Sequence, residues 1–300
     1  MSSLRLPSRL RAFLGASAIA LNTAVHVGPL LIVALLKLIL RWSAARAVFD
    51  RWLMAIAASW IDVNTFLFDR LSDTRVVVTG MPEAMPDGQL LVICNHQSWV
   101  DIPVLQKLFN RRLPLLRFFL KSQLIWVPLL GLAWWALDFP FMKRYSRQQI
   151  ERRPELAGRD IAATRKACKR FRDIPVAIVN FVEGTRFSEA KRSEQGSDYE
   201  HLLKPRAGGT AFVLDAMGES LDTLVDVTLV YPHGRGELGD LLANRIPEVR
   251  VDIRTLPIPD SLRGRDYRED LEFQAEIREW INRLWRDKDE RIARMLEKTD

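Results

Sequence analysis

The chain has 300 residues, 48% hydrophobic and 27% charged, with 15 glycines and 15 prolines. That is enough apolar side chain for the core of one large domain or two ordinary ones, and it excludes a disordered, fibrous or low-complexity chain. The two cysteines, Cys94 and Cys168, lie 74 positions apart with no CxxC pair, so neither a disulfide framework nor a structural zinc site is indicated and a reducing compartment is favoured. The net charge of +7 is concentrated in one place. From Lys143 to Arg172 there are eleven Lys/Arg against three Asp/Glu, and the rest of the chain is close to neutral.

In chain order, the first feature is a run from Ala12 to Leu36 of 25 residues without Asp, Glu, Lys or Arg, longer than the roughly 20 a spanning helix needs. Gly28-Pro29 lies near the middle of the apolar stretch that ends at Leu40. Arg5, Arg9 and Arg11 precede the stretch, and Lys37, Arg41 and Arg46 follow it. Positive charge at both ends favours both ends in the cytoplasm, and a break at Gly-Pro predicts a helical hairpin that enters and returns. Ala16-Ser17-Ala18 resembles a signal cleavage site, but the apolar run continues well beyond it. Phe49, Trp52, Leu53, Ile56 and Trp60 then recur at helical spacing, which predicts a second amphipathic helix, in the interface or packed on the domain. Seven of the nine Trp fall between Trp42 and Trp135, where bilayer-boundary and core roles both suit them.

Beyond residue 70 the pattern is that of a soluble α/β domain. Arg75 to Thr79, Leu90 to Cys94, Val176 to Phe181, Leu224 to Tyr231 and Val249 to Leu256 read as strands, with amphipathic stretches between most of them. The apolar run from Leu124 to Leu137 is too short to span and is interrupted by Pro128 and Gly131; buried core and an apolar floor near a membrane fit it equally. The basic segment reads as a helix from about Glu155 to Arg172, either solvated or facing a nucleic acid, an anionic bilayer or a polyphosphate ligand. Only Tyr145 and Phe171 are aromatic there, so a single-strand stacking platform is missing and nucleic acid is not expected as a partner. From Arg265 to Lys298, Leu271, Ile277, Trp280, Ile281, Leu284 and Trp285 form one face of a helix that packs on the domain.

Chemistry-bearing residues gather in two places. After the strand ending at Cys94 stands Asn95-His96-Gln97-Ser98-Trp99-Val100-Asp101. Residues five apart do not meet within a regular helix, but across a strand-to-helix turn Asp101 can hold His96. An imidazole of pKa about 6.5 is a weak base near neutrality; a carboxylate on one ring nitrogen fixes the tautomer and stabilises the imidazolium formed when the other takes a proton. The second place is Val182-Glu183-Gly184-Thr185-Arg186, after the strand ending at Phe181, where glycine permits a tight turn and arginine offers a planar fork for phosphate or carboxylate.

NHQSWVD and FVEGTR resemble the first and third motifs of the glycerolipid (PlsC-type) acyltransferases, patterns N-H-x4-D and F-x-E-G-T-R, with Val182 in place of the usual proline. Phe139-Pro140-Phe141-Met142-Lys143-Arg144 resembles the second motif and Val230-Tyr231-Pro232 the fourth. Further likeness, at Leu203 to Gly208 and Trp280 to Asp289, is to the subgroup of lysocardiolipin and 1-acylglycerol-3-phosphate acyltransferases and their bacterial relatives.

The resemblance implies a single mixed-sheet acyltransferase domain of α/β class, residues 70–300, flanked by helices, with membrane-embedded helices over residues 1–69. It implies acyl transfer from a thioester of coenzyme A, or of acyl carrier protein, to a free hydroxyl of a lysophospholipid, most simply lysophosphatidate. His96 and Asp101 would be catalytic. Glu183, Gly184, Thr185 and Arg186 would shape the acceptor site, and Lys143, Arg144, Lys204 and Arg206 would bind further phosphate. Donors to the thioester oxygen are expected among backbone N–H groups near the first motif. No cofactor or metal is expected, and the place implied is a membrane of bacterial inner-membrane type, with the catalytic domain facing the cytoplasm.

Other features invite different readings. Ser98 lies two places after His96, but no G-x-S-x-G elbow exists, so a turn or cap hydroxyl is expected rather than a nucleophile. Gly234-Arg235-Gly236-Glu237-Leu238-Gly239 matches the dinucleotide fingerprint formally, but Pro232-His233 intervenes after the strand and little helix follows. His26 is expected to be structural or interfacial, and His201 and His233 to be solvated loop residues. The alternative to an enzyme is a membrane-bound basic adaptor that holds anionic lipid or RNA through residues 143 to 172.

Overall fold

Strands form where β-branched and aliphatic runs can be buried on both faces. In the computed structural model, which describes residues 7–40, 43–142, 152, 171, 175–267 and 269–297, these strands are β1 (Arg75–Thr79), β2 (Gln89–Cys94), β3 (Leu116–Phe118), β4 (Leu120–Lys121), β5 (Phe141–Met142), β6 (Val176–Phe181), β7 (Leu221–Val230) and β8 (Glu248–Pro257). Six of them make one sheet in the order β1-β8-β7-β2-β6-β3; β4 and β5 pair separately. Every neighbouring pair in the large sheet is parallel except β7 with β8, so the sheet is mixed, as expected. The three-residue β3 and the two-residue β4 and β5 are too short to leave a periodic trace in the sequence.

The lower-numbered half of the chain builds α1 (Ser8–Ile39), α2 (Ser43–Leu71), α3 (Asp101–Phe109) and α4 (Leu130–Ala136). The higher-numbered half builds α5 (Glu189–Gln195), α6 (Ala207–Met217), α7 (Leu238–Leu242) and α8 (Leu271–Glu297). One face of the sheet is covered by α6 and α8: Leu91, Ile93, Val176 and Ile178 pack with Ala211, Leu214, Phe273, Ile277, Ile281 and Trp285. The other carries Leu90, Val92, Cys94, Val104, Leu105 and Phe109, with α3 against it. The amphipathic face expected for α8 is the buried one, save that Leu271 at its start is 76% exposed. Asp270 caps the helix by accepting the N–H of Phe273 at 2.9 Å.

At the N-terminus the structure departs from expectation. Helix α1 runs through Gly28-Pro29 without a break and packs along α2, so the hairpin is α1 against α2. Its seam is polar and specific. The Asn22 amide donates to Asn64 Oδ1 at 2.9 Å and to Trp60 O at 3.1 Å. Trp60 Nε1 donates to Thr23 Oγ1 at 3.2 Å, and His26 Nε2 pairs with Ser59 Oγ at 3.1 Å. In an apolar setting these bonds replace the hydration each group would otherwise lose, and they fix the register of the two helices. His26 is therefore structural. The predicted second helix is α2, with Phe49 and Leu53 buried and Trp52 exposed.

Helix α1 is long and apolar enough to cross a membrane by length and composition, yet it touches the domain near both ends. A Cβ at Gly15 would meet Leu71 and Leu242 at about 3 Å, while Val27, Leu30 and Val33 pack with Ala133, Ala136 and Leu137 around α4. The outward face remains apolar, with Phe13, Leu21, Val25, Ile32, Leu35, Leu38 and Ile39 exposed. The run Leu124–Leu137 is divided: Ala133 and Ala136 are buried, whereas Trp126 (86% exposed), Leu129, Leu132 and Trp135 face outward. The proposed basic helix and its patch from Lys143 to Arg172, with Cys168, lie outside the described residues save for Arg152 and Phe171.

Candidate active site

Parallel strands deliver their carboxyl ends to one edge of a sheet, and there the connecting loops can converge. β6 and β7 flank β2 and both run parallel to it, in register at Cys94↔Phe181 and Cys94↔Val227. The residues that follow Cys94, Phe181 and Val230 therefore arrive together, which brings the first, third and fourth motifs into one place. Asn95 extends the ladder with its side chain: its amide donates to Leu229 O and accepts from Leu229 N, both at 2.8 Å. This buried amide ends β2 without leaving orphan groups and sets where the turn to α3 begins.

That turn carries the central pair. His96 Nδ1 lies 2.8 Å from Asp101 Oδ2. Asp101 is fully buried, and the same oxygen accepts the N–H groups of Gln97 at 2.7 Å and Ser98 at 2.9 Å. Its other oxygen, Oδ1, accepts the hydroxyl of Tyr231 at 2.6 Å. A carboxylate ringed by four donors can only accept, so Nδ1 carries the ring proton and Nε2 presents its lone pair. The imidazole stacks on Phe181, centroids 4.0 Å apart at 15°, and keeps a narrow opening, with 13% of its side chain exposed. Among the described residues Nε2 has no hydrogen-bond partner.

The third motif folds around this ring. Gly184 adopts φ +71°, and its N–H returns to Phe181 O at 2.8 Å, a turn that a side chain at this position would strain. Phe187 N–H donates to the carbonyl of His96 at 2.7 Å, which pins the far end of the turn to the histidine backbone. Arg186 is half-buried, its guanidinium 4.7 Å above the ring of Trp99 and paired with both oxygens of Glu237 at 2.9 and 3.1 Å. Thr185 Oγ1 and the Arg186 carbonyl accept from Lys191 at 2.9 and 2.8 Å, so a lysine holds the turn from behind.

Glu183 differs from the role expected for it. Its side chain is fully buried, and neither carboxyl oxygen has a hydrogen bond of normal geometry among the described residues. Burial pushes its pKa well up; the N–H groups of His96 and Leu203 face it and pull the other way without closing such bonds, and nearby Asp101 adds to the rise. Glu183 thus sits behind His96 rather than on an open acceptor surface. Arg206 N–H bonds to Val182 O at 2.8 Å, which ties its loop to the third motif while its side chain and that of Lys204 stay exposed. Lys143 and Arg144 lie outside the described residues. The N–H groups of Gln97, Ser98 and Val100 are committed to Asp101 and to Ser98 Oγ, so these three do not supply the expected donors for a developing oxyanion. Ser98 Oγ, which also donates to Gly236 O, is a loop clamp and not a nucleophile.

Two groups were missed by the sequence reading. Tyr231 was visible inside the fourth motif, but only the fold shows its hydroxyl on Asp101. Lys288 was hidden among the charges of the last helix. It is fully buried, donating to Asp226 Oδ1 at 2.5 Å, Val227 O at 2.7 Å and Thr228 Oγ1 at 3.1 Å. Arg291 and Arg254 reach the same Asp226 carboxylate at 2.6 and 2.9 Å. Burial alone would raise the Asp226 pKa, but Lys288 and Arg291 outweigh it and hold the value at about 2. A cavity of about 1080 Å³ between α2, the end of α3 and α4 is lined by Lys37, Asp50, Met54, Arg111, Arg117 and Trp135 among others; neither His96 nor Arg186 borders it.

The chain is similar to known proteins in both sequence and fold. The Acyltransferase family profile matches residues 75–232, more than half of the chain. Lysocardiolipin acyltransferase 1 of Mus musculus is 27% identical over 257 residues, 81% of this chain and 63% of that protein. The probable 1-acyl-sn-glycerol-3-phosphate acyltransferase 5 of Arabidopsis thaliana is 31% identical over 186 residues, 58% of this chain and 46% of that protein. The chain therefore spans less than two thirds of the length of these curated relatives. The solved structure of the 1-acyl-sn-glycerophosphate (LPA) acyltransferase PlsC from Thermotoga maritima has the same fold, with a TM-score of 0.52 at 16% identity over 92% of this chain and 97% of that one. With the profile laid over the strands and loops that assemble the His96 site, the chain belongs to the PlsC-type acyltransferase family.

Proposed function

We propose that this protein transfers an acyl chain from a thioester, of coenzyme A or acyl carrier protein, to the free hydroxyl of a lysophospholipid, and that lysophosphatidate is the acceptor. The observation that carries the reading is the His96 ring, its Nδ1 fixed by buried Asp101 and its Nε2 free to take a proton, with the third motif tied to the His96 backbone through Phe187 N–H. The acceptor hydroxyl attacks the thioester carbonyl carbon as Nε2 removes its proton. The C–S bond then breaks, the leaving sulfur takes that proton back, and an ester and a free thiol result. Asp101 holds the ring and stabilises the imidazolium, and no acyl-enzyme is needed. Arg186 binds the acceptor phosphate, with Gly184 and Thr185 shaping the turn that presents it. Glu183 supports the turn from within. Lys143, Arg144, Lys204 and Arg206 are proposed as further phosphate contacts of acceptor or donor. The chemistry as written uses no metal or cofactor.

The α1–α2 hairpin and α4 seat the catalytic domain, residues 70–300, on the bilayer. Gly15 and Val33 are about 27 Å apart along a helix, close to the ~30 Å of a hydrocarbon core, yet both ends of this stretch touch the soluble domain. A helix so anchored lies along one leaflet with its apolar side inward, and the exposed Trp126, Leu132 and Trp135 of the adjoining segment extend the same contact. Basic residues at both ends, Arg9 and Arg11 with Lys37 and Arg46, favour the cytoplasmic leaflet, and the bacterial inner membrane is the proposed location.

The test is product mass spectrometry on full-length protein in detergent, with acyl-CoA and acyl carrier protein donors offered separately against a panel of lysophospholipids. Phosphatidate from lysophosphatidate, abolished in His96→Ala while fold and vesicle binding persist, supports the reading. Unchanged turnover in that variant overturns the mechanism, and product from other acceptors only overturns the substrate. Salt-sensitive binding of anionic lipid or RNA without turnover would favour the adaptor.

A further inference from the structure

In lysophosphatidate the free hydroxyl and the phosphoester sit on neighbouring carbons, so a hydroxyl at His96 Nε2 forces the phosphate to settle beside the same ring. Arg186 of the third motif is one candidate cation, but its Nη1 is taken by both carboxylate oxygens of Glu237. A second cation stands on the loop that carries Glu237. Arg235 lies 4.2 Å above the ring of Phe187 and donates from Nη1 to the Phe187 carbonyl at 3.4 Å; among the described residues its one acidic contact, Glu189, is a loose 3.7 Å away. Phe187 adjoins Arg186 in the chain, and its N–H holds the carbonyl of His96. The Ser98 hydroxyl, two residues past His96, fastens this loop by donating to Gly236 O. Arg235 is thus anchored to Phe187, which holds the carbonyl of the catalytic histidine, and Arg186 is paired with Glu237 on the loop that Ser98 fastens. Burial lowers the pKa of Arg235, and Glu189, Glu183 and Asp101 counter it, which puts its charge in the field of the catalytic carboxylate.

We infer that Arg235 is the second guanidinium of the acceptor's phosphate-monoester site, and that Glu237 is an internal counter-ion that occupies Nη1 of Arg186 until the phosphate displaces it. The inference rests on the lysophosphatidate reading above. Glu237 is 64% exposed, and ion pairs so exposed are weak, so a phosphate dianion gripped by two forks outcompetes one carboxylate. A lipid without phosphate leaves the pair closed and finds no cation, which makes the same contact a filter on the acceptor.

The experiment is steady-state kinetics of full-length enzyme in detergent, with acyl-CoA as donor and lysophosphatidate as acceptor, for wild type, Arg235→Gln and Glu237→Gln. Arg235→Gln is expected to raise the acceptor KM roughly 10- to 100-fold, as the loss of a charge-assisted contact does, with kcat and the donor KM unchanged. Glu237→Gln is expected to lower the acceptor KM by up to about 5-fold, a gain that a misfolded variant does not give. An unchanged acceptor KM in Arg235→Gln, a rise in the donor KM instead, or a raised acceptor KM in Glu237→Gln overturns the inference. Wild-type enzyme that leaves lysophosphatidate untouched overturns the acceptor reading itself, and that result is read before either variant is compared.

Discussion

The hydroxyl of Tyr231 donates to Asp101 Oδ1 at 2.6 Å while the ring of His96 is held by the opposite oxygen at 2.8 Å. The two residues meet because β7 runs three residues past its last pairing with β2, at Cys94↔Val227, before the chain turns. Tyr231 is therefore a positioning residue: it fixes the plane of the carboxylate, and the carboxylate fixes the imidazole. Tyr231→Phe is expected to lower kcat roughly 10-fold, the cost of one hydrogen bond to a charged group, and to leave both KM values unchanged. Asp101→Asn, which replaces the acceptor facing Nδ1, is expected to cost about 10³-fold or more. Equal kcat in the Tyr231→Phe and wild-type enzymes would show that the backbone donors suffice to orient Asp101.

Asp226 draws Lys288, Arg254 and Arg291 onto one buried carboxylate between β7 and the last helix. Asp226→Asn leaves buried cations without their counter-charge and is expected to destabilise the fold by about 3–5 kcal/mol. That is a large part of a typical total of about 5–15 kcal/mol. Urea unfolding checks it; a loss below about 1 kcal/mol would mean that water reaches the cluster.

Glu183 sets a pH dependence of the opposite kind from an ion-paired carboxylate. Its pKa is raised by folding above the ordinary 4.5, so the native state binds the proton more tightly than the unfolded chain. Wild-type stability is then lost relative to a proton-independent variant as pH climbs above about 4.5 towards the folded value. The melting temperature of Glu183→Gln minus that of wild type is expected to grow across this window. A flat difference from pH 4 to 8 would show that Glu183 stays hydrated despite its burial.

The exposed Trp126 and Trp135 give a test of the membrane seat that is independent of catalysis. Replacing both by Ser removes two large apolar side chains, each worth about 1.5–3 kcal/mol if fully buried. It is expected to weaken sedimentation with anionic vesicles about tenfold or more while activity in detergent persists. Unaltered partitioning would confine the contact to the α1–α2 hairpin.

Much was legible in the residues alone. The α/β class, the main strands and the apolar N-terminal helices follow from hydrophobic period, and the hold of Asp101 on His96 from motif spacing; the mixed sheet and the role of Arg186 are what the family resemblance implies. These are local properties: a strand buried on both faces needs an uninterrupted aliphatic run, and a base and its orienting acid need a turn of fixed length between them. Only the tertiary structure decided the rest. It carried α1 straight through Gly28-Pro29, where Val27 on one side and Leu30 and Val33 on the other pack into one cluster with α2 and α4. It turned Glu183 inward, gave Asp101 the hydroxyl of Tyr231, and set Arg235 over the ring of Phe187 by laying strands distant in sequence side by side. Burial and hydrogen-bond partnership depend on what the fold stacks against a residue, and no window of neighbouring letters contains that information.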